Sequence, residues 1–368
     1  MVEYSKTDDN VSYNEKVGLS RHLGLYITIS VVIIFILSSI IIFSSPSHIE
    51  GLPKCGDGTF YERCSLSKPY YCSGGVLIED SSYCGCPDTM YDGDMIFKKV
   101  DGMCDSDYFD SGELHYYNYV LDGNTLDIPF EIYPSITDLL KDLPRYVIYR
   151  KDEVARRDDF KLMKMDVGIQ KEALMPLIVS IENLAPNSTD MQAKIAVSLV
   201  QNIPYGEPGF KNIFGTDVRL SRYPYEVLNE DMGSCEGKSE LLAFILRELG
   251  FSVSVFYYPL QNHEAVGIAC PLEHSYMDSG YCFIETTVPA PISYSTGYYL
   301  GIDGGRLISE PEIIPLSKGI SLSENIDDYD DSEKLSKIVD SIEEDGTINA
   351  LQRSSYEFLK EKYGLNYY

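Results

Sequence analysis

The sequence holds 368 residues, with 57 acidic against 30 basic side chains and a formal net charge of −27. At 44% hydrophobic and 24% charged it is neither disordered nor collagen-like, and it is long enough for one sizeable domain with accessory segments. A nucleic-acid binder needs a basic face, so the charge balance excludes that class while leaving a membrane open.

From Leu23 to Phe43 the chain runs for 21 residues without a charge, the roughly 20 that a helix needs to cross the hydrocarbon core. That is longer than the apolar region of a cleaved signal peptide, about 7–15 residues, and a segment apolar on all sides has no solvent face for a core helix. Residues 1–22 are therefore expected to form an N-terminal tail and 23–44 a single-pass anchor. Lys6, Lys16 and Arg21 precede the span and only Lys54 closely follows it, which places the tail in the cytoplasm and the remainder outside.

Cys55, Cys64, Cys72, Cys84, Cys86 and Cys104 then fall within 50 residues, in a segment punctuated by Gly, Pro and Ser. Such a segment has little core of its own and needs cross-links. Structural zinc usually takes paired C-x2-4-C knuckles, and Cys84-Gly-Cys86 is too short for one. Three disulfides are expected in a module spanning 51–106, with 15 possible connectivities.

Tyr116 to Tyr133 reads as a hairpin about Asp122-Gly123-Asn124, followed by a short helical piece from Ile136 to Leu143. Thr189 with Gln192 forms a capping-box start for a helix striped by Met191, Ile195, Leu199 and Ile203 and stopped by Pro204. Asn187-Ser188-Thr189 is also a glycosylation sequon. A second helix runs from about Glu236 to Leu249, with Gly250 as its stop. Ser252–Tyr258, His263–Cys270 and Tyr281–Thr287 alternate as strands. The region 107–320 is thus α+β, helices first and an antiparallel sheet after. Residues 321–368 form an acidic tail, in which Asp327 to Asp331 reads as a charged linker before two short helices; the ligand spacing of an EF-hand is missing from it.

Gly233-Ser234-Cys235-Glu236-Gly237-Lys238-Ser239 approaches a phosphate loop but has three residues between the glycines instead of four, and Tyr225 to Met232 does not make the buried strand that must precede one. The cysteine is the better lead. Cys235 stands at a helix start, where unsatisfied N–H groups and the dipole favour the thiolate, the nucleophilic form. A nucleophilic thiol needs a base and a group to orient that base. His263 begins one strand and Glu285 lies in the next. Setting them opposite each other fixes an antiparallel register in which Cys282 faces Val266, four residues from Cys270. The two cysteines would lie on the other sheet face, and that offset resists a bond between them unless Pro271 lets Cys270 curl back.

Tyr223-Pro224-Tyr225-Glu226-x-Leu228, Gly233-Ser234-Cys235-Glu236-x-Lys238-Ser239, the helix ending Leu249-Gly250, Pro259 to His263, and Phe283-Ile284-Glu285-Thr286-Thr287, with Ile203-Pro204-Tyr205 upstream, resemble the transglutaminase-like superfamily over about residues 175–295. Tyr116 to Arg150 is similar to the N-terminal extension of archaeal members. The resemblance implies a papain-like core of helices packed on an antiparallel sheet, with Cys235 as nucleophile, His263 as general base and Glu285 as orienting carboxylate. Glu285 stands where aspartate is more usual, and Ser234 replaces a common aspartate. The backbone N–H of Cys235 is one oxyanion donor; Gln201 and Tyr223 are candidates for the second.

The expected activity is that of a membrane-anchored, extracytoplasmic thiol enzyme, needing neither metal nor cofactor, that cleaves peptide or side-chain amides of a protein or peptide through a thioester. Hydrolysis is expected over amine transfer, since the cysteine-rich segment and short tail offer little to shield an acceptor from water. The alternatives are a catalytically idle surface binding or scaffold protein, and a cross-linking acyltransferase.

Overall fold

The computed structural model describes residues 53–365 apart from 92–93, 107, 148, 155, 214–215 and 302–303. From Lys54 onward the described residues belong to one compact unit. The expected span at 23–44 lies outside the described residues; among these, no helix is long and apolar enough to cross a membrane.

The six clustered cysteines pair as Cys55–Cys72, Cys64–Cys84 and Cys86–Cys104. The first two staple a three-stranded sheet of β1 (Arg63–Cys64), β2 (Tyr70–Ser73) and β3 (Val76–Glu79), and the third ties the ribbon of Lys98–Val100 and Met103–Asp105 to the segment before it. This segment shares its core with the helices and strands C-terminal to it, since buried Cys55, Tyr70, Cys72 and Leu77 join the main apolar cluster. Polar ties add to it: Asn183 accepts from the Leu77 N–H at 2.8 Å and donates to the Leu77 carbonyl at 3.0 Å.

The hairpin pairs β4 (Glu113–Leu121) with β5 (Asn124–Ile132) through a two-residue turn, Asp122-Gly123, both with positive φ (48° and 77°). That conformation suits the right-handed twist of the strands, and Asp-Gly is a preferred pair for it. Next come helices α1 (Pro134–Asp142), α2 (Arg157–Met165), α3 (Gly168–Leu184) and α4 (Thr189–Asn202), then a ribbon of Gly209–Ile213 and Thr216–Leu220, the short α5 (Pro224–Asn229) and α6 (Cys235–Glu248). The cap of α4 is Ser188 rather than Thr189: its hydroxyl accepts from the Met191 N–H at 3.2 Å. Gly250, at φ +91°, ends α6 as its position suggested.

Four antiparallel strands make the main sheet in the order β8-β7-β6-β11, with β6 (Val253–Tyr258), β7 (His263–Ala269), β8 (Tyr281–Ile284) and β11 (Glu312–Pro315). Between β8 and β11 lies a small ribbon of β9 (Tyr298–Tyr299) and β10 (Gly305–Arg306). Val266, Ile268 and Ile284 pack with α3, α4 and α6 in the main core, while Phe256, Tyr258, Ala265 and Phe283 form a smaller cluster on the other face. The architecture is α+β, as the sequence indicated.

Two expectations are corrected. The β7–β8 register places Cys282 opposite Ile268, not Val266. Cys270 extends the pairing by donating its N–H to the Gly280 carbonyl, and this leaves it diagonal to Cys282 with a Cα separation of 5.7 Å, within disulfide range; the bond forms. The Asp327–Asp331 run is not a linker but the first turn of α7 (Asp327–Asp345), which packs against α8 (Ala350–Tyr363). Acidic side chains suit a helix N-terminus, and Lys194 and Lys362 both pair with this turn.

Cys270→Ala/Cys282→Ala should lower the unfolding free energy by about 3 kcal/mol, the loop-closure value for a ring of this size, read from denaturant melts with Cys235 present in both proteins. A loss below about 0.5 kcal/mol would mean that the native strand pairing already fixes this turn in the unfolded chain.

Candidate active site

The start of α6 is set by the strand-like segment just after α4. Tyr205 bridges Gly233 in parallel, the Gly233 N–H donates to the Pro204 carbonyl at 3.1 Å, and the Gly206 N–H to the Gly233 carbonyl at 3.1 Å. A side chain at 233 would collide with Lys238 and Val227, its Cβ lying 2.8 Å from Lys238 Cγ, so glycine is required there by close approach. Ser234 caps the helix, accepting from Gly237. Cys235, the first helical residue, is the one free cysteine among the described residues and is 3% exposed. As a first-turn residue its N–H has no intrahelical acceptor.

The two residues that made the segment look like a phosphate loop have structural work instead. Lys238 is buried and donates to the carbonyls of Gln201 and Ile203; burial pulls its pKa down to about 7, against an opposing pull from Glu285. Ser239 donates to the Glu264 carbonyl at 3.1 Å and meets the Thr286 hydroxyl at 3.0 Å, tying the helix to the strands that carry His263 and Glu285. No strand precedes the loop; α5 does.

His263 begins β7 after the turn at Asn262, a residue held at φ +46°. Asparagine tolerates that region better than most residues, and its carbonyl lies 3.9 Å from Cys235 Sγ. His263 is fully buried; its Nε2 lies 2.9 Å from Glu285 Oε2, and its Nδ1 is buried without a hydrogen-bond partner, so Nδ1 is the ring atom left for the thiol. Burial alone would lower the imidazole's pKa, but the Glu285 carboxylate and the adjoining Cys235 side chain raise it to about 10.

The other Glu285 oxygen, Oε1, accepts from the N–H groups of Thr286 (3.0 Å) and Thr287 (2.7 Å) and from the Thr287 hydroxyl (2.5 Å). Burial opposes the charge, yet His263 and these donors hold the carboxyl below its ordinary pKa. The longer glutamate arm is thus held at both oxygens. In the observed register Glu285 continues β8 opposite Ala265, two residues from His263 and on the same face, so it reaches His263 diagonally. The structure brings Cys235, His263 and Glu285 together.

Both candidates for a second oxyanion donor are occupied elsewhere. The Gln201 amide donates to the Glu285 and Ala290 carbonyls and accepts from the Ala290 N–H, clamping the backbone that carries the carboxylate. The Tyr223 hydroxyl donates to the Pro144 carbonyl at 2.7 Å.

Sequence reasoning gave no role to Thr287 or Tyr299. The Thr287 hydroxyl also accepts from the Leu300 N–H at 2.8 Å, fixing β9, and the Tyr299 ring packs on the His263 ring with centroids 4.1 Å apart. The threonines after Glu285 were a readable signal, since hydroxyls beside a carboxylate are natural donors to it; Tyr299 carried none. His274 instead stacks on Tyr329. Among the described residues no group of three His, Cys, Asp or Glu is placed to hold a metal ion. A cleft of about 640 Å³ is lined by Asn262, Glu236 and Glu264, the sequence neighbours of His263 and Cys235, together with Arg145, Tyr149 and Arg157; Cys235 and His263 themselves do not line it.

No protein-family model and no curated protein matches the chain. Among solved structures, calcium-bound LapG of Legionella pneumophila is similar over 45% of this chain and 90% of its own, at 13% identity and a TM-score of 0.24, a likeness too slight to carry an argument.

A histidine whose folded pKa exceeds its unfolded value, about 6.5, stabilises the fold fully below that value and loses the contribution as pH rises through the folded one. The stability gap between the native protein and His263→Asn should therefore be largest below pH 6.5 and shrink, by a few kcal/mol, as pH passes about 10. Urea melts across that range test it, and a gap independent of pH would show that the imidazole is neutral throughout.

Proposed function

We propose that this chain is a cysteine enzyme of transglutaminase-like, papain-like type that hydrolyses peptide or side-chain amide bonds in a protein or peptide. The observation that carries the reading is the arrangement at the start of α6: a lone thiol on a helix N-terminus adjoins an imidazole whose near nitrogen is unpartnered and whose far nitrogen is held by a fully hydrogen-bonded carboxylate. Cys235 Sγ attacks the amide carbonyl, and the oxyanion develops near the Cys235 N–H. The C–N bond then breaks as His263 gives its proton to the leaving amine. Water, losing a proton to His263, next attacks the thioester and releases the carboxylic acid and the thiol. Glu285 keeps the imidazole oriented and favours its protonated form. The cleft at Asn262 and Glu236 is open to solvent, which supports water as the acceptor.

Anchoring through 23–44, with the folded part outside the cytoplasm, belongs to the same proposal. Its support is the length of the apolar run and four disulfides, which persist in oxidising compartments. A second reading, an idle binding module, draws on one specific observation: thiol and imidazole are closed off, at 3% and 0% exposure.

Iodoacetamide labelling of the full chain near neutral pH separates the two. Cys235 should label at least about tenfold faster than an ordinary buried thiol and should slow by a similar factor in His263→Ala. Equal rates in the native protein and His263→Ala would favour the idle module. With a glutamine-containing protein and a fluorescent primary amine, the enzyme should yield cleaved or deamidated product; Cys235-dependent amine incorporation in its place would identify a transferase.

A further inference from the structure

Beneath the candidate site lies a buried ionic cluster that the proposed reaction does not use. Lys161, on α2, is 3% exposed, and its ammonium lies 3.1 Å from Glu236 Oε1, 2.9 Å from Glu240 Oε1 and 2.8 Å from Glu264 Oε2. It donates hydrogen bonds to the first two and meets the third as an ion pair, so one ammonium faces three carboxylates. Two of these are the immediate neighbours of the reacting residues: Glu236 comes directly after Cys235, and Glu264 directly after His263. Glu240, one turn along α6, shares its second oxygen with Lys164, which also donates to the Ser221 hydroxyl at 2.6 Å.

We propose that Lys161 is the positioning residue of this site: it joins the residue after the thiol to the residue after the imidazole, fixing their separation, and it neutralises carboxylates that would otherwise crowd the thiolate. The inference rests on reading Cys235 and His263 as a nucleophile–base pair. Three glutamates against two lysines leave the cluster with one excess negative charge. The groups facing Lys161 are Glu236 and Glu240 from α6 and Glu264 from β7, with the Phe160 ring beside it on α2. The thiol faces His263, with Glu285 behind the ring, and the Asn262 carbonyl; Lys238, on the same helix, is turned to backbone carbonyls. Without Lys161 the excess near the thiol doubles. A planar guanidinium cannot reproduce a three-way socket of this kind.

The test is the pH profile of Cys235 alkylation by iodoacetamide in the full-length protein, with circular dichroism as the check on folding. Lys161→Met should move the midpoint up by about one pH unit or more and lower the plateau rate, and Lys161→Arg should not restore the plateau. Glu236→Gln, which removes a charge instead of adding one and alters a less buried group, should move the midpoint down. Opposite shifts are not expected of a residue that merely holds the fold together. Where Lys161→Met fails to fold, Glu236→Gln decides the matter: an unmoved midpoint overturns the proposal. A profile that responds to His263→Ala but ignores both Lys161→Met and Glu236→Gln removes the role of Lys161 alone. One that ignores His263→Ala as well removes the nucleophile–base reading beneath it.

Discussion

A helix sunk in a protein interior has no face on which to carry charge cheaply, yet α6 is buried along nearly its whole length and still contains Lys238 and Glu240. Much of the structure is arranged around satisfying those two groups. The carbonyls at the end of α4 receive Lys238, and α2 supplies the lysines for Glu240. Removing one partner from such a pair leaves an unpaired charge in a low-dielectric setting, at a cost of several kcal/mol. The cost falls on whichever alternative packing would separate them, and the position of Cys235 at the head of this helix is a result of the same constraint.

The strands and helices that present the site were legible because their cues are local. Asp122-Gly123 announces a tight turn, Gly250 a helix stop, and alternation marks β6 to β8. What was missed depends on tertiary context. Helix α3 spans 17 residues with Pro176 inside and Gly168 at its head, two residues that read as breakers, and burial against α4 overrides them. Helix α2 is polar, and its lysines look solvated until the glutamates they meet, 75 and more positions away, are placed beside them. Strand β11 lies far along the chain from its partner β6 and carries too few residues to be periodic.

The three candidate residues were picked out from order and chemistry, but their mutual geometry could not be. Placing His263 opposite Glu285 assumed that paired function needs paired position. The true register is shifted, and a glutamate, one methylene longer than aspartate, spans the diagonal. That shift also brings Cys270 within bonding distance of Cys282, so a single register error accounts for both discrepancies. The acidic run was misread for a related reason: counting charges says nothing of the lysines that α4 and α8 bring to them.

The cysteine pairs carry a consequence for the order in which the protein is made. Each bond joins residues separated by only 12 to 20 positions. Every bonded thiol therefore meets its partner shortly after both have left the ribosome or a translocation pore, before distant sequence exists to compete. Three bonds can close before Cys235 has emerged. The fourth can close only once α6 and β7 have emerged, the elements against which the free thiol of Cys235 is buried. Spacing along the chain thus separates the lone cysteine from the six thiols of the first three bonds, and burial against α6 and β7 keeps it from the last two.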